Sequence, residues 1–345
     1  MFWTRRLERC AASGVAVALI GLLSPGVSAA TTEAPVESSR REVVDLGTLP
    51  GAISSEALGI NDAGWVVGWS DLGDGRNHGF LWRNGRMTDL GSLTGPTGSS
   101  IATDINGRGE IVGNSSAPDG FHPFLWRNGR MTDLGTLGGD FAVANGINDR
   151  GEVVGFSETA TEDEFHAFLW RNGRMTDLGT VEGQGFSGAQ AINSRGEIVG
   201  SSGGPVVWRE GVPTPLRKVP GAADFGEAFD NNERGDIVGY WGFESGSSIN
   251  RAVVWRRGVP TDLGLEGGTS HATGINDRGQ IVGWRELVPM QSSGAYLWER
   301  GRVTDLPSLT GAGGFAAAIN NRGEIVGRSP APGDPFGFGH AVLWR

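Results

Sequence analysis

The chain has 345 residues and a formal net charge of −10 at pH 7. Its 59 glycines are more than twice the usual share of roughly 7%, and they follow no three-residue period, which excludes collagen. An acidic chain argues against nucleic acid or an anionic membrane as the main partner, while 12 Trp and 15 Phe suffice for a sizeable core.

Residues 1–30 read as an export signal. Arg5, Arg6 and Arg9 form a positive start, Gly14–Leu23 is an apolar run too short to span a bilayer, and Val27-Ser28-Ala29 supplies small residues for cleavage. The Arg5-Arg6 pair leaves both the general and the twin-arginine route open. A secreted, extracellular protein is therefore expected. Cys10 is the only cysteine, so the mature chain would be held by packing and hydrogen bonds alone. No later apolar run is long enough for a membrane span. Residues 31–42 are polar and aperiodic, and read as a flexible leader.

From residue 43 onward the chain is a repeat. The phrase Ile-Asn-x-x-Gly-x-x-Val-Gly places its Asn at 61, 106, 148, 193, 232, 276 and 320, a spacing of about 43 residues. A Trp follows in every unit, from Trp82 to Trp344. Each unit reads as four short strands, A to D. In the third unit these are Ala142–Asn148, Glu152–Phe156, His166–Arg171 and Arg174–Leu178. Asn148-Asp149-Arg150-Gly151 suits a type I turn between A and B, and Asn172-Gly173 suits a tight hairpin between C and D. The repeated Asn is read first as turn chemistry.

The spacing predicts an all-β fold, a seven-bladed β-propeller of four-stranded blades. The seventh unit stops at Trp344-Arg345, before any strand D. Val43-Val44-Asp45-Leu46-Gly47 matches strand D of other units, such as Thr132-Asp133-Leu134-Gly135. Residues 43–49 would then complete the last blade, close the ring and remove an exposed sheet edge. Ala stands four before the Asn in all seven units, which suits a crowded innermost strand A.

His166-Ala167-Phe168 with its following Leu-Trp, the run Asp133–Gly139, and the Ile-Asn phrase together resemble the extracellular HAF repeat family. The resemblance covers Val43 to Arg345, although units four to six replace the triplet, as in Gly204-Pro205-Val206. It implies an exported β-repeat protein. It brings no established activity and no catalytic residues.

The B–C connections vary most in length, the pattern of a binding face or of loops that drift without selection. The slot after Val-Gly on strand B carries Trp69, Phe156, Tyr240 and Trp284, with Trp241 next to Tyr240. Such rings stack on sugars or anchor a peptide when exposed, and pack a core when not. Five before the Asn, at the expected channel mouth, stand Glu56, Glu227 and His271, the one enzyme-like constellation. No nucleophile with a positioned base accompanies them. His78, His122, His166 and His340 share one slot on strand C of separate units, too far apart to share a metal, and read as structural. Asp71–Gly75 and Glu162-Asp163-Glu164 match no calcium loop and read as solvated. The sequence thus points to a monomeric binding or scaffold module for an extracellular glycan or protein, with no cofactor and no metal site. The alternative is a secreted hydrolase or lyase working at the channel mouth.

Overall fold

The computed structural model describes residues 41–345, apart from 162–163, 183, 246, 266–267, 289–291, 312 and 333–338. The expected export signal, nearly all of the leader, and Glu162 and Asp163 of the acidic loop lie outside the described residues.

The described residues form 28 strands and no helix. The first is β1 (Val43–Gly47). Unit one is Ser54–Ile60, Val66–Asp71, Asn77–Arg83 and Arg86–Asp89 (β2–β5). Unit two is Ser100–Ile105, Ile111–Ala117, Gly120–Arg127 and Arg130–Asp133 (β6–β9). Unit three is Gly138–Ile147, Val153–Thr159, Phe165–Arg171 and Arg174–Asp177 (β10–β13). Unit four is Gly188–Ile192, Ile198–Ser201, Pro205–Arg209 and Val212–Pro215 (β14–β17). Unit five is Gly226–Asn231, Ile237–Ser245, Ser247–Arg256 and Val259–Asp262 (β18–β21). Unit six is Ser270–Ile275, Ile281–Val288, Ser292–Glu299 and Arg302–Asp305 (β22–β25). Unit seven is Phe315–Ile319, Ile325–Ser329 and His340–Trp344 (β26–β28).

Within each unit the strands pair antiparallel in chain order. The exception to separate four-stranded sheets is an eight-stranded sheet that joins units two and three. β10 starts early, at Gly138, so Phe141 runs parallel beside Phe121 of β8 and the two rings stack 5.9 Å apart. The three strands of unit seven are completed by β1, which pairs antiparallel with β28, Val43 opposite Trp344 and Val44 opposite Leu343. The first strands of successive units are neighbours, and β2 lies beside β26.

The register between first and second strands slips in every unit, as between Ala57 and Gly59 or Ala144 and Gly146. This bulge leaves the residue between unpaired on the ladder. It also explains the repeated small residues. A Cβ on Gly155 of Val-Gly would lie on the Val143 carbonyl oxygen and crowd the Ala144 Cα. The Ala in turn is fully buried in all seven units, with at most 1% exposure.

Apolar side chains fill the space between units. Val112 and Leu125 of unit two pack with Ala144, Ile147, Val153 and Phe168 of unit three. In unit five Asn231 replaces the usual Ile. It is buried, and its Nδ2 donates to the Glu197 carbonyl of unit four, 2.9 Å away.

The repeated Asn does more than form a turn. Asn148 Oδ1 accepts from the backbone N of Arg150 and of Glu152, both at 3.0 Å, which shapes the A–B turn. Its Nδ2 donates to the Asn193 carbonyl of the next unit, 3.1 Å away. The same cross-unit bond runs from Asn61 to Asn106, Asn106 to Asn148, Asn193 to Asn232, Asn232 to Asn276 and Asn276 to Asn320, and then from Asn320 to Asn61.

Replacing Asn148 by Ala leaves two turn N–H groups and a neighbouring carbonyl without partners in a buried place. The expected loss is about 3 kcal/mol or more in urea unfolding. Asn148→Asp keeps the acceptor and loses the donor, so it should fall between. A wild-type midpoint in Asn148→Ala would show that water replaces the bonds.

Candidate functional site

Strand register brings the two sets of candidate residues together. Glu56 lies opposite Trp69, Val143 opposite Phe156, Glu227 opposite Tyr240 and His271 opposite Trp284. Cross-strand neighbours share a face of the sheet. Packing then links one unit to the next. Tyr240 of unit five stacks on His271 of unit six, with centroids 4.2 Å apart and planes 6° from parallel. His271 packs against Trp284 at 4.6 Å, and Trp284 meets Phe315 of unit seven edge-on at 5.4 Å. Arg328 lies over Phe315 and reaches Glu56 of unit one, 3.8 Å away. The result is a layer of aromatic and charged side chains passing from unit to unit.

Exposure divides the aromatic candidates. Trp69 and Trp284 are half-buried, and Tyr240 is nearly buried. Phe156 is wholly buried among Phe141, Phe165 and Phe186. Trp241 faces the opposite way, because successive strand residues alternate. It packs on Trp255, and its Nε1 donates to the Ala223 carbonyl, 2.6 Å away. Phe156 and Trp241 are therefore core side chains in this structure and offer no surface ring.

The ionisable members are engaged. Glu56 is buried, which pushes its pKa up against the opposing pull of Arg328. Glu227 is wholly buried and accepts from Gln190 Nε2 at 2.7 Å. Burial pushes His271 down to about 3, so the ring is neutral near pH 7. A neutral ring lets Nε2 accept from Asn250 Nδ2, 3.0 Å away. Tyr240 is pushed up by burial and by the charge of Glu227.

The first strands of all seven units also line one cavity of about 330 Å³. Its wall includes the bulge residues, such as Thr103, Asn145, Gln190 and Phe229, and six carboxylates, of which Asp104 and Asp230 stand on the first strands themselves. Glu56, Glu227 and His271 do not line it. The position of Asp104 and Asp230, two before the repeated Asn, is Gly or Ala in the other five units. Each Asp clips its own unit to the next. Asp104 accepts from Ile105 N at 2.7 Å and from Ile147 N at 2.9 Å, and Asp230 accepts from Asn231 N at 2.8 Å and Ile275 N at 2.9 Å. Burial nevertheless raises them to about 6 and about 7, helped by Asp149 near Asp104 and by Asp104 and Asp277 near Asp230. Thr103 and Thr273 donate to the Ala144 and Ala316 carbonyls of the next units. The polar groups of the cavity wall are thus largely spent on joining units.

The strand-C histidines sit apart, each on the Asp of the adjacent strand. His78 Nδ1 lies 2.8 Å from Asp89, His122 2.9 Å from Asp133, His166 2.8 Å from Asp177 and His340 2.9 Å from Asp45. Among the described residues no group of three or more His, Cys, Asp or Glu is placed to hold a metal ion. The variable B–C connections are mostly extended hairpins rather than free loops, as in β19–β20 and β23–β24. Next to the unit-five hairpin, Phe225 is 40% exposed, and Arg251 lies 4.7 Å over the Phe243 ring. These rings had no repeat slot to flag them.

No family model matches the sequence, and no curated protein matches it. Among solved structures, a streptogramin B lyase matches at TM-score 0.55 and 9% identity, over 90% of this chain and 99% of that one. The extracellular domain of a B. thetaiotaomicron protein matches at TM-score 0.50 and 9% identity, over 89% of this chain and only 40% of that one. A puromycin-hydrolyzing peptidase from Mycobacterium tuberculosis matches at TM-score 0.50 and 13% identity, over 85% of this chain and 50% of that one. Likeness at this identity shows a propeller-type all-β fold and nothing of activity. No helix among the described residues is long and apolar enough to cross a membrane.

Carboxyls whose folded pKa is raised contribute stability that is full below the unfolded value near 4 and lost as pH rises through about 6 and 7. His271, with its pKa lowered, has the opposite trend and loses stability as pH falls below the unfolded value of 6.5. Comparing wild type with the double variant Asp104→Asn/Asp230→Asn therefore isolates the two carboxyls. From pH 5 to pH 8 the wild type should lose stability relative to the variant, at up to about 1.4 kcal/mol per pH unit for each carboxyl. Parallel calorimetric curves would show that both aspartates titrate at ordinary values.

Proposed function

We propose that the seven units close into a seven-bladed β-propeller, with residues 43–49 completing the last blade, and that the protein is an exported binding module for a glycan or protein ligand. Support for closure comes from the β1–β28 pairing and from the Asn320 bond to Asn61. Support for export and for kinship with HAF repeat proteins comes from residues 1–30 and from the His-Ala-Phe and Ile-Asn phrases.

The observation that carries the binding reading is the engagement of the enzyme-like cluster Glu56, Glu227 and His271. Glu56 is held by Arg328, Glu227 by Gln190, and His271 is stacked between two rings and kept neutral. A general acid–base group works best with a pKa near the working pH, and burial moves His271 away from it. Trp69, Trp284 and Phe225 meanwhile offer partly exposed aromatic surface beside the extended hairpins.

Two experiments test this reading. A glycan and peptide array with Trp69→Ala, Trp284→Ala and Phe225→Ala should show lost binding at a nearly unchanged thermal midpoint. Trp241→Ala is the core control and should cost about 3–5 kcal/mol. If the three surface variants bind as wild type does, the aromatic surface is not the site. For closure, a chain starting at residue 50 should be less stable and more prone to associate than one starting at residue 42. Equal stability of the two would sink the closed ring.

A further inference from the structure

In units one to three the face that carries the A–B and C–D turns is rich in arginine. Lysine occurs once, at Lys218, and nearly all of the positive charge is arginine. In units one to three the C–D hairpin reads Arg-Asn-Gly-Arg. The Asn and Gly take left-handed φ, 52° at Asn84 and 77° at Gly85, which makes the tight turn. The turn sets Arg83 directly opposite Arg86, Arg127 opposite Arg130 and Arg171 opposite Arg174. All six arginines are exposed.

Like charges directly opposite on a sheet are destabilising. The fold repeats this cost in three consecutive units and neutralises it only in part. Glu110 takes both Arg108, at 2.8 Å, and Arg127, at 2.7 Å. Glu152 takes both Arg150, at 2.8 Å, and Arg171, at 3.6 Å. Two guanidiniums on one carboxylate leave a positive charge over in each cluster, and the outer arginine of each hairpin adds another.

On this face of units one to three the arginines at 83, 86, 108, 127, 130, 150, 171 and 174 outnumber the acids Asp62, Glu110, Asp149 and Glu152, and further acids lie at the far end of the same strands. Asp89, Asp133 and Asp177 close the strands that Arg86, Arg130 and Arg174 open. Three residues of rise put them about 10 Å away, beyond the screening length of about 8 Å at physiological salt. A partner on the turn face of units one to three therefore meets more arginine than carboxylate, against the net charge of the chain.

We propose that the arginine hairpins of units one to three form a docking strip for an acidic polysaccharide, a chain carrying closely spaced carboxylate or sulfate groups. Exposed guanidiniums grip such groups through paired, charge-assisted hydrogen bonds. The proposal rests on the binding-module reading and names the ligand class for a face separate from the aromatic cluster.

The test is calorimetric titration of the purified protein with polygalacturonate and heparin, beside neutral dextran, inorganic phosphate and duplex DNA. Wild type should bind both acidic polysaccharides with affinity falling as salt rises, and should not bind dextran. Arg86→Ala/Arg130→Ala/Arg174→Ala should lower affinity about tenfold or more. Its thermal midpoint should stay or rise, because facing like charges are relieved. Unchanged affinity in the triple variant overturns the strip, and a fallen midpoint assigns the arginines a structural role instead. Inorganic phosphate competing as well per charge as the polymers overturns the polymer assignment. Tighter binding to DNA replaces the polysaccharide by nucleic acid. Array binding without binding to acidic polymers overturns this inference alone, whereas silence in both overturns the binding-module reading with it.

Discussion

Each repeat of this chain is a small sheet that cannot bury its own faces, and one side chain per unit couples the local turn to the neighbouring unit. The oxygen of the repeated Asn collects two N–H groups of its own A–B turn, and its nitrogen reaches the carbonyl of the next Asn. Asp would lack the donor, Ser would lack the reach, and Gln would misplace the oxygen for the turn. These amides are buried, with 3–5% exposure, so the bonds form where a lost partner is expensive. Turn shape and spacing between units are thereby set by the same group. The bulges, the Asp clips and the apolar layers all lie within a few residues of it.

This dual role also explains what was legible beforehand. Strand order in each unit, the Asn-Gly hairpins and the match of Val43–Gly47 to strand D could be read from period and turn chemistry, which are local. The Asn nitrogen could not be assigned, because its partner lies a whole unit away and leaves no mark on its own turn. The bulge was hidden for another reason. It shows only as an Ala and a Gly at fixed offsets, and the clash that demands them is between backbones. The fusion of units two and three depends on where β10 begins, and Gly138-Gly139 has no strand signal. Asp104 and Asp230 were passed over because they stand where other units have Gly or Ala, and their role appears only once two first strands lie side by side.

The two sets of candidate residues lie closer together than their repeat slots suggest. Strand-B rings and strand-A acids looked like two sites, one on a rim and one in a channel. A cross-strand register of fixed offset makes them one layer. That layer is more a packing device than an open pocket. Alternating rings and charges let each unit present a flat, polarizable surface to the next, with Arg328 and Glu56 compensating each other where burial is deep. What remains open to solvent is set by the hairpins above it, whose lengths differ from unit to unit while the layer beneath holds its geometry.

The pairing of β1 with β28 has a further consequence for how the protein is made. Val43 and Trp344 occupy nearly opposite ends of the chain, yet they are ladder partners. At ribosomal speeds the interval between their syntheses is on the order of tens of seconds. Through that interval the first strand has no partner, and the last sheet cannot form at all. The nascent protein stays without its final sheet until its last residues have been delivered, and then a single strand addition at the edge completes it.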